Sequence, residues 1–187
     1  MLNADSIQVY AIMAGVVAVL AGAWMAWRWY QQPQRVLARR LGALSLDMIA
    51  NAFLPDGLGG EIYIDRLLLT RHGLLLLDVN DSRGTIFAGE QLNIWTAQSP
   101  DSRLTFDNPL PLLHDRATAI DQLAPGVPVH ARIVFADDTV FAKGKPAAVT
   151  TISALCDEFS SADDTAPRDN PLYANHWCTL QSAASKP

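Results

Sequence analysis

Apolar residues form two short runs in the middle of the chain, and each run contains one acidic residue. The runs cover residues 62–69 and 74–80, with the turn sequence Thr-Arg-His-Gly at 70–73 between them. Their length and composition predict the two strands of a β-hairpin. The acids are Asp65 and Asp78. A carboxylate in an apolar strand is seldom found without a counter-charge, a bound metal or a strand end beside it.

The remaining pattern predicts an α/β domain around this hairpin. Apolar spacing over residues 35–54 predicts an amphipathic helix, with a break near Gly42. Asn108-Pro109 is typical of a helix start, with Asn108 as the N-cap, and the helix is predicted to continue to Leu123. Further strands are predicted at 85–88, 92–97, 103–106 and 127–135, and a closing helix at 149–159. The order of these elements predicts a mixed central sheet flanked by helices.

A membrane-spanning helix is predicted before this domain. Val9–Trp27 contains 19 residues with nothing more polar than a tyrosine, and a helix of that length spans roughly 28 Å, close to the hydrocarbon thickness of a bilayer. Four arginines follow the segment within residues 28–40, and no lysine or arginine precedes it. The positive-inside rule therefore predicts a retained anchor with its N-terminus outside and the folded domain in the cytoplasm.

Small residues repeat every four positions along this segment, at Ala14, Ala18, Gly22 and Ala26. Such a stripe is compatible with a homodimer through the transmembrane helix, although a generic span rich in alanine and glycine has the same pattern. The predicted organisation is an anchor at 1–30, a linker at 31–35, a folded domain at 36–159 and a flexible polar tail at 160–187.

Charge and cysteine content narrow the classes of function. The net charge is −5, and much of the excess acid lies in the tail. A strongly basic nucleic-acid binder is therefore disfavoured, although a nearly neutral domain could contain a local basic groove. Cys156 and Cys178 lie far apart without metal or redox spacing, which favours reduced, unpaired thiols.

The ordered set of motifs resembles the nuclease-related domain (NERD) family of bacterial proteins over residues 36–156. The similarity is carried by Ile64-Asp65, His72-Gly73, the strand 74–79, Gly84-x-Ile86-x-x-Gly89, Trp95, Phe106-Asp107-Asn108-Pro109-Leu110 and the strand 129–135. The resemblance implies a restriction-endonuclease-like fold and kinship to metal-dependent DNA nucleases. For a bacterial protein, the membrane in question is the inner membrane.

The resemblance also implies a set of site residues. In such nucleases an acid on one strand, and an acid-x-lysine on the next, hold Mg²⁺ and an attacking water. Mg²⁺ prefers carboxylate oxygens and lowers the pKa of bound water. Asp65 matches the first acid and Asp78 the second, so these two are the expected magnesium ligands. Asn80 stands at the position of the lysine.

This chain departs from the family pattern at three polar positions. Asn80 cannot supply the positive charge of a lysine, and loss of one such electrostatic group commonly costs on the order of 10²–10³ in rate. Leu112 stands where the family commonly has a glutamine, and residues 35–54 contain Asp47 but no glutamate. Arg83, Lys143 and Lys145 are candidates for a displaced cation. Whether the chain is an enzyme therefore stays open at this point.

Three hypotheses follow. In the first, the domain lacks effective nuclease activity and serves as a binding or scaffold module at the membrane. In the second, it is a Mg²⁺-dependent nuclease acting on DNA through Asp65, Asp78 and a displaced cation. In the third, it is a structural partner of another membrane protein through the small-residue stripe. For the two acids the plain alternative is an unused pair, neutralised by Arg66 or Arg71.

Overall fold

The structure is a computed structural model that describes residues 19–22, 24–25, 37–57, 59–160 and 171–185. The chain separates into two compact units, Met1–Arg40 and Leu41–Pro187. Most of the predicted membrane span Val9–Trp27 lies outside the described residues; of that span, residues 19–22 and 24–25 are described and are helical. Within the described residues, no helix has the length and apolar character needed to cross a membrane.

The structure is a mixed α/β fold. Residues 37–44 are helical and are called α1 here. The strands and helices that follow are β1 (Ser45–Pro55), β2 (Glu61–Thr70), β3 (Gly73–Val79), β4 (Thr85–Phe87), β5 (Ile94–Gln98), β6 (Arg103–Asp107), α2 (Leu110–Leu123), β7 (Val129–Phe135), β8 (Val140–Phe141), β9 (Val149–Thr151), α3 (Ile152–Ser160) and α4 (Pro171–Ala183).

Two mixed sheets replace the single central sheet that the sequence predicts. The five-stranded sheet has the order β1-β2-β3-β7-β9, in which β1, β2 and β3 are antiparallel neighbours and β3, β7 and β9 run parallel. The four-stranded sheet has the order β6-β5-β4-β8. Its strands β4, β5 and β6, together with α2, lie in the sequence between the parallel neighbours β3 and β7, so the connection between these neighbours contains most of a second sheet.

The hairpin is the most deeply buried part of the fold, as its apolar composition predicts. Leu74, Leu75, Leu76 and Leu77 of β3 are all fully buried or nearly so. Such a strand is typical of the centre of a sheet covered on both faces. The main core on one of these faces also contains Trp95 of the four-stranded sheet. The site acids therefore lie on two strands whose neighbouring leucines are buried.

The prediction of one helix over residues 35–54 is wrong for its second half. Helix α1 ends at residue 44, and β1 pairs with β2 from Ser45 to Pro55. The physical reason is a change of phase in β1. Asn51 has a positive φ of 49°, and the buried positions are Ile49 on one side of it and Ala52 on the other. Their separation of three residues imitates the spacing of a helix.

The sequence predicts a flexible polar tail at 160–187, but part of this tail is helical and packs on the core. Residues 171–183 form α4, and Trp177 and Leu180 are buried in the main core. The indole Nε1–H of Trp177 donates to Asp47 Oδ2 at 3.0 Å. Beyond the helix, Ser185 pairs with Phe53 on the outer edge of β1 through two backbone hydrogen bonds. The closing helix also begins later than predicted, because Val149–Thr151 is a strand beside β7.

Candidate active site

Asp65 and Asp78 are brought together by the register of the hairpin. The last bonded pair of β2 and β3 is Arg66 with Leu77. One step further along the same antiparallel register, Asp65 stands opposite Asp78. Residues that oppose each other in this way point to the same face of a sheet. Here it is the face that bears Leu67 and Leu76 of the main core.

The Asp65 carboxylate occupies the point at which β2 and β3 separate. Its Oδ2 accepts a hydrogen bond from the backbone N–H of Val79 at 2.9 Å. The side chain thus takes over a donor that the β2 backbone no longer reaches. The neighbouring residue on the other side, in β1, is Asn51, whose left-handed backbone lies between the bonded pairs Ala50 with Arg66 and Ala52 with Ile64. The acid therefore sits where two adjacent strands are irregular.

The Asp78 carboxylate is paired with a cation from α2. Arg116 Nη1 donates to Asp78 Oδ2 at 2.6 Å, and the side chains are only 13% and 16% exposed, respectively. Charge-assisted hydrogen bonds of this length are among the stronger polar contacts in proteins. The pair joins the helix to the centre of the five-stranded sheet.

The surroundings of Asp78 have opposing effects on the pKa of its carboxyl group. Burial raises the pKa of the Asp78 carboxyl above its ordinary value, the positive charge of Arg116 lowers it, and the negative charge of Asp65 raises it again. The net direction is upward. Asp78 Oδ1 is buried and has no hydrogen-bond partner among the described residues. A buried acceptor without a partner is costly and marks a position that could take a proton or a cation.

Asp65 has a different arginine nearby, Arg66, but the two side chains are not hydrogen-bonded. Arg66 Nε lies 3.9 Å from Asp65 Oδ1, which is too long for a hydrogen bond. The same nitrogen is buried and has no hydrogen-bond partner in the described part of the chain. The side chains of Arg66 and Arg116 belong to different elements, so the two acids are served by separate arginines.

A family model described as nuclease-related domain (NERD) matches residues 29–136, more than half of the 187-residue chain. The chain belongs to the nuclease-related domain family. Comparison with curated proteins and with solved structures gave no significant match.

In this nuclease-related domain, Asn80, which the resemblance aligns with a lysine, makes local hydrogen bonds. Asn80 Oδ1 accepts the backbone N–H of Ser82 at 2.9 Å, and the Asn80 N–H donates to the carbonyl oxygen of Val134, also at 2.9 Å. This is the local turn chemistry that asparagine favours after a strand. Asn80 therefore caps the end of β3 and is held there by backbone contacts.

Of the three cations that the sequence offered as substitutes, Arg83 and Lys145 contact other groups, and Lys143 lines a pocket that includes neither acid. Arg83 lies 3.6 Å from Asp138, and both of these side chains are more than half exposed. Lys145 donates to the carbonyl oxygen of Val149 at 2.6 Å. Lys143 and Lys145 line a shallow pocket of about 320 Å³ with Glu90, and neither Asp65 nor Asp78 is among its lining residues.

Sequence reasoning missed Arg116, the cation that pairs with Asp78. The signal was present, because Arg116 lies three residues after Leu113 and four before Ile120, both buried in the core. A positive charge on the apolar stripe of a helix needs a buried partner. Leu112, at the position where the family commonly has a glutamine, lies one turn before Arg116 and is 52% exposed.

A metal centre built only from protein ligands is not found among the described residues, since no group of three or more histidines, cysteines, aspartates or glutamates is clustered there. Asp65 and Asp78 supply two carboxylates, which suits a Mg²⁺ ion that keeps most of its waters. However, Arg116 already neutralises one Asp78 oxygen, and its charge repels a divalent cation. With Arg116 in this position the donor set does not fit a tightly held metal.

A separate groove of about 750 Å³ lies along α2 and β7, and its lining residues include Glu90, His114, Asp121 and Ala131 but neither site acid. Two other histidines flank Phe159, with ring centroids 6.1 Å away for His72 and 5.5 Å for His130. His72 is in the hairpin turn, as its sequence context indicates. The groove is lined by neither acid, and His72 and His130 pack against Phe159. Neither feature is therefore assigned to the pair of acids.

Proposed function

We propose that this nuclease-related domain lacks effective nuclease activity and serves as a binding or scaffold module at the cytoplasmic face of the membrane. The observation that carries the proposal is the Asp78–Arg116 pair. An arginine holds its proton too firmly to act as a base, and here its charge stands on an expected metal ligand. With Asn80 engaged in the turn after β3, residue 80 supplies no lysine to orient an attacking water.

A second candidate function rests on the unpartnered oxygen of Asp78. In this alternative the domain is a Mg²⁺-dependent nuclease acting on DNA, with Asp65 and Asp78 as metal ligands. Bound Mg²⁺ would neutralise charge on the phosphate and acidify a bound water. Asp78 Oδ1 is buried without a partner, and a cation could satisfy it. Arg116 would then be the displaced cation that stabilises negative charge, after it moves away from Asp78.

The membrane anchor and the orientation are part of the proposal and rest on Val9–Trp27 and on the arginines that follow it. A fluorescent reporter that matures only in the cytoplasm is fused after Pro187, and we expect its fluorescence in the membrane fraction of cells. Fluorescence in the soluble fraction alone would argue against the anchor. A fusion protein that is expressed at a normal level but is not fluorescent would argue against the cytoplasmic orientation.

The test of function uses the purified full chain, in detergent micelles if required. Titration calorimetry with Mg²⁺ and Mn²⁺ and cleavage of supercoiled DNA are measured on the same samples. The proposal expects no cleavage and no metal binding tighter than the millimolar range for the unaltered chain. In Arg116→Gln, we expect metal binding to appear, and Asp65→Ala or Asp78→Ala added to that variant should remove it again.

Asp115→Ala is the matched control, because Asp115 is an exposed acid next to Arg116 on the same helix. It should leave every result unchanged. Metal-dependent cleavage by the unaltered chain, lost in Asp65→Ala and in Asp78→Ala but kept in the control, would overturn the proposal and establish the nuclease. Asn80→Lys combined with Arg116→Gln asks whether restoring a lysine at residue 80 brings cleavage back.

A further inference from the structure

Strand β6 forms a free edge of the four-stranded sheet. In the described part of the chain it pairs with β5 alone. Five consecutive residue pairs, from Ile94 with Asp107 to Gln98 with Arg103, follow one register without a bulge. Four of its five residues are exposed. Natural sheets usually protect such an edge with proline, a bulge, charged side chains or a cover. Strand β6 contains no proline, and its charges are one arginine and one aspartate at opposite ends.

The backbone groups that β6 turns outward can be assigned from the bonds at its two ends. Asn108 N–H donates to the carbonyl oxygen of Asn93 at 2.8 Å, and Ser99 N–H donates to the carbonyl oxygen of Ser102 at 2.9 Å. Bonded pairs alternate along an antiparallel ladder. The residues with even numbers therefore bond to β5, and Arg103, Thr105 and Asp107 direct their N–H and C=O groups to the open edge.

The sequence of β6 is complementary to itself. It reads Arg-Leu-Thr-Phe-Asp, with a positive charge at one end, a negative charge at the other and threonine at the centre. If two copies pair antiparallel about Thr105, each Arg103 stands opposite the other copy's Asp107. Residues 103, 105 and 107 of one copy, whose backbone groups are open, then lie opposite residues 107, 105 and 103 of the other. Each of these three pairs can form two backbone hydrogen bonds, which gives about six in total.

The side chains of β6 suit the same register. Arg103 and Asp107 are exposed and have no ion-pair partner among the described residues. Leu104 is 55% exposed, although it lies opposite Ala97 on the face of the sheet that carries the core. In the paired arrangement Leu104 of one copy lies opposite Phe106 of the other, where its apolar surface is covered. Opposite charges and apolar pairs across strands each favour such pairing.

We propose that β6 is a homodimer surface, through which two copies of this chain join their four-stranded sheets edge to edge in the antiparallel register centred on Thr105. The arrangement is isologous, since the same residues serve both partners. A shift of register by two residues removes the Arg103–Asp107 pairs, so the charges select one alignment. The surface is distinct from the small-residue stripe at residues 14–26 and from the Asp65–Asp78 pair.

Charge exchange tests the proposal on the full chain by light scattering coupled to size-exclusion chromatography over a dilution series. The unaltered chain is expected to be a dimer. Arg103→Asp and Asp107→Arg each place two like-charged pairs across the interface and should weaken dimerisation about tenfold or more. The double exchange Arg103→Asp with Asp107→Arg restores opposite charges and should restore the dimer. Glu61→Arg, a charge reversal at an exposed position of β2, is the control and should have no effect.

A second measurement fixes the register without relying on charge. In a Cys156→Ser, Cys178→Ser background, Thr105→Cys places one thiol of each copy at the two-fold axis, within the separation that a disulfide spans. Rapid oxidative cross-linking is expected there and not in Thr96→Cys, where the introduced thiol lies on β5, one strand in from the edge. A monomeric chain, or a dimer that ignores both single charge reversals and fails to cross-link through residue 105, overturns the proposal. The second result would leave the transmembrane stripe as the dimer contact.

Discussion

Arg116 and Asp78 lie 38 positions apart in the sequence, and their side chains meet at 2.6 Å with little exposure to solvent. The contact ties α2, the helix that follows β6, to the central strand of the five-stranded sheet. It also means that Asp78, whose pKa burial raises, has its counter-charge supplied by the protein itself. The same contact therefore supports the fold and carries the proposal that this domain lacks effective nuclease activity.

Replacing Arg116 by glutamine is expected to destabilise the fold in a pH-dependent way. Removing one partner of a largely buried ion pair leaves an uncompensated charge, and the expected cost is about 3 kcal/mol at pH 7. The pKa of Asp78 is already raised in the folded protein, and losing Arg116 raises it further. A raised carboxyl pKa favours the protonated native state, so this contribution to stability is present at low pH and is lost as the pH rises through the folded pKa.

Urea unfolding at pH 7 and pH 4 measures this effect, and the loss in Arg116→Gln should be smaller at the lower pH. Arg83→Gln is the control, because the Arg83–Asp138 contact is exposed and such pairs contribute little. An equal loss at both pH values would mean that Arg116 stabilises the fold through the packing of its aliphatic stem and not through its charge.

Asp47→Asn should weaken the docking of α4 at neutral pH but not in acid. The indole hydrogen bond from Trp177, followed by smaller contributions from Met48 and Gln181, holds the pKa of Asp47 below its ordinary value of 3.8. A lowered carboxyl pKa contributes stability above 3.8, and that contribution is lost as the pH falls through the folded pKa. The difference in unfolding free energy between the unaltered chain and Asp47→Asn should therefore shrink below that pH. A constant difference from pH 7 to pH 3 would contradict it.

Gly73→Ala is expected to destabilise the hairpin more than Gly144→Ala does. Both glycines have positive φ, 117° and 83°, but a Cβ at Gly73 would collide with the carbonyl oxygen of Pro128, whereas a Cβ at Gly144 meets open space. The second variant should show the backbone cost alone, about 1 kcal/mol. Thermal unfolding of both variants measures the difference, and equal losses would show that the chain at Pro128 moves aside without penalty.

Much of the fold could be predicted from the sequence where local signals and tertiary pairing agree. The hairpin is confirmed because two apolar runs flank a turn with glycine at residue 73. Helix α2 is confirmed from Leu110 to Leu123, but its N-cap is Pro109 and not Asn108. The Asn108 side chain accepts the N–H of Leu110 at 3.0 Å beside the helix start. The mixed α/β class is confirmed as well.

The errors arise where a local pattern is ambiguous. Strand β1 resembles a helix because Asn51 shifts the phase of its buried positions, and only pairing with β2 decides the outcome. The division into two sheets depends on contacts between residues far apart in sequence. In α4, Trp177 and Leu180 lie in a stretch of sequence with many polar residues, so the helix has a weak local signal. It is stabilised by the packing of these two side chains in the main core.

The site was half predictable for a similar reason. Asp65 and Asp78 could be paired because they lie on consecutive strands joined by a short turn, where the register follows from the turn. Arg116 could not be assigned to them, since its distance from Asp78 depends on how α2 packs on the sheet.

The long connection between β3 and β7 has a consequence for how such a domain can diversify. The two carboxylates are held by the backbone ladder of the sheet, where a shift of one residue would reverse every side chain. The guanidinium that pairs with Asp78 is carried by the connection, which leaves the sheet after Val79 and returns to it at Val129. A single exchange at residue 116 can therefore change the charge beside Asp78 without altering the sequence of any strand. The residue that sets this charge lies outside the backbone ladder that fixes the two acids, so the charge and the acids can vary separately in sequence.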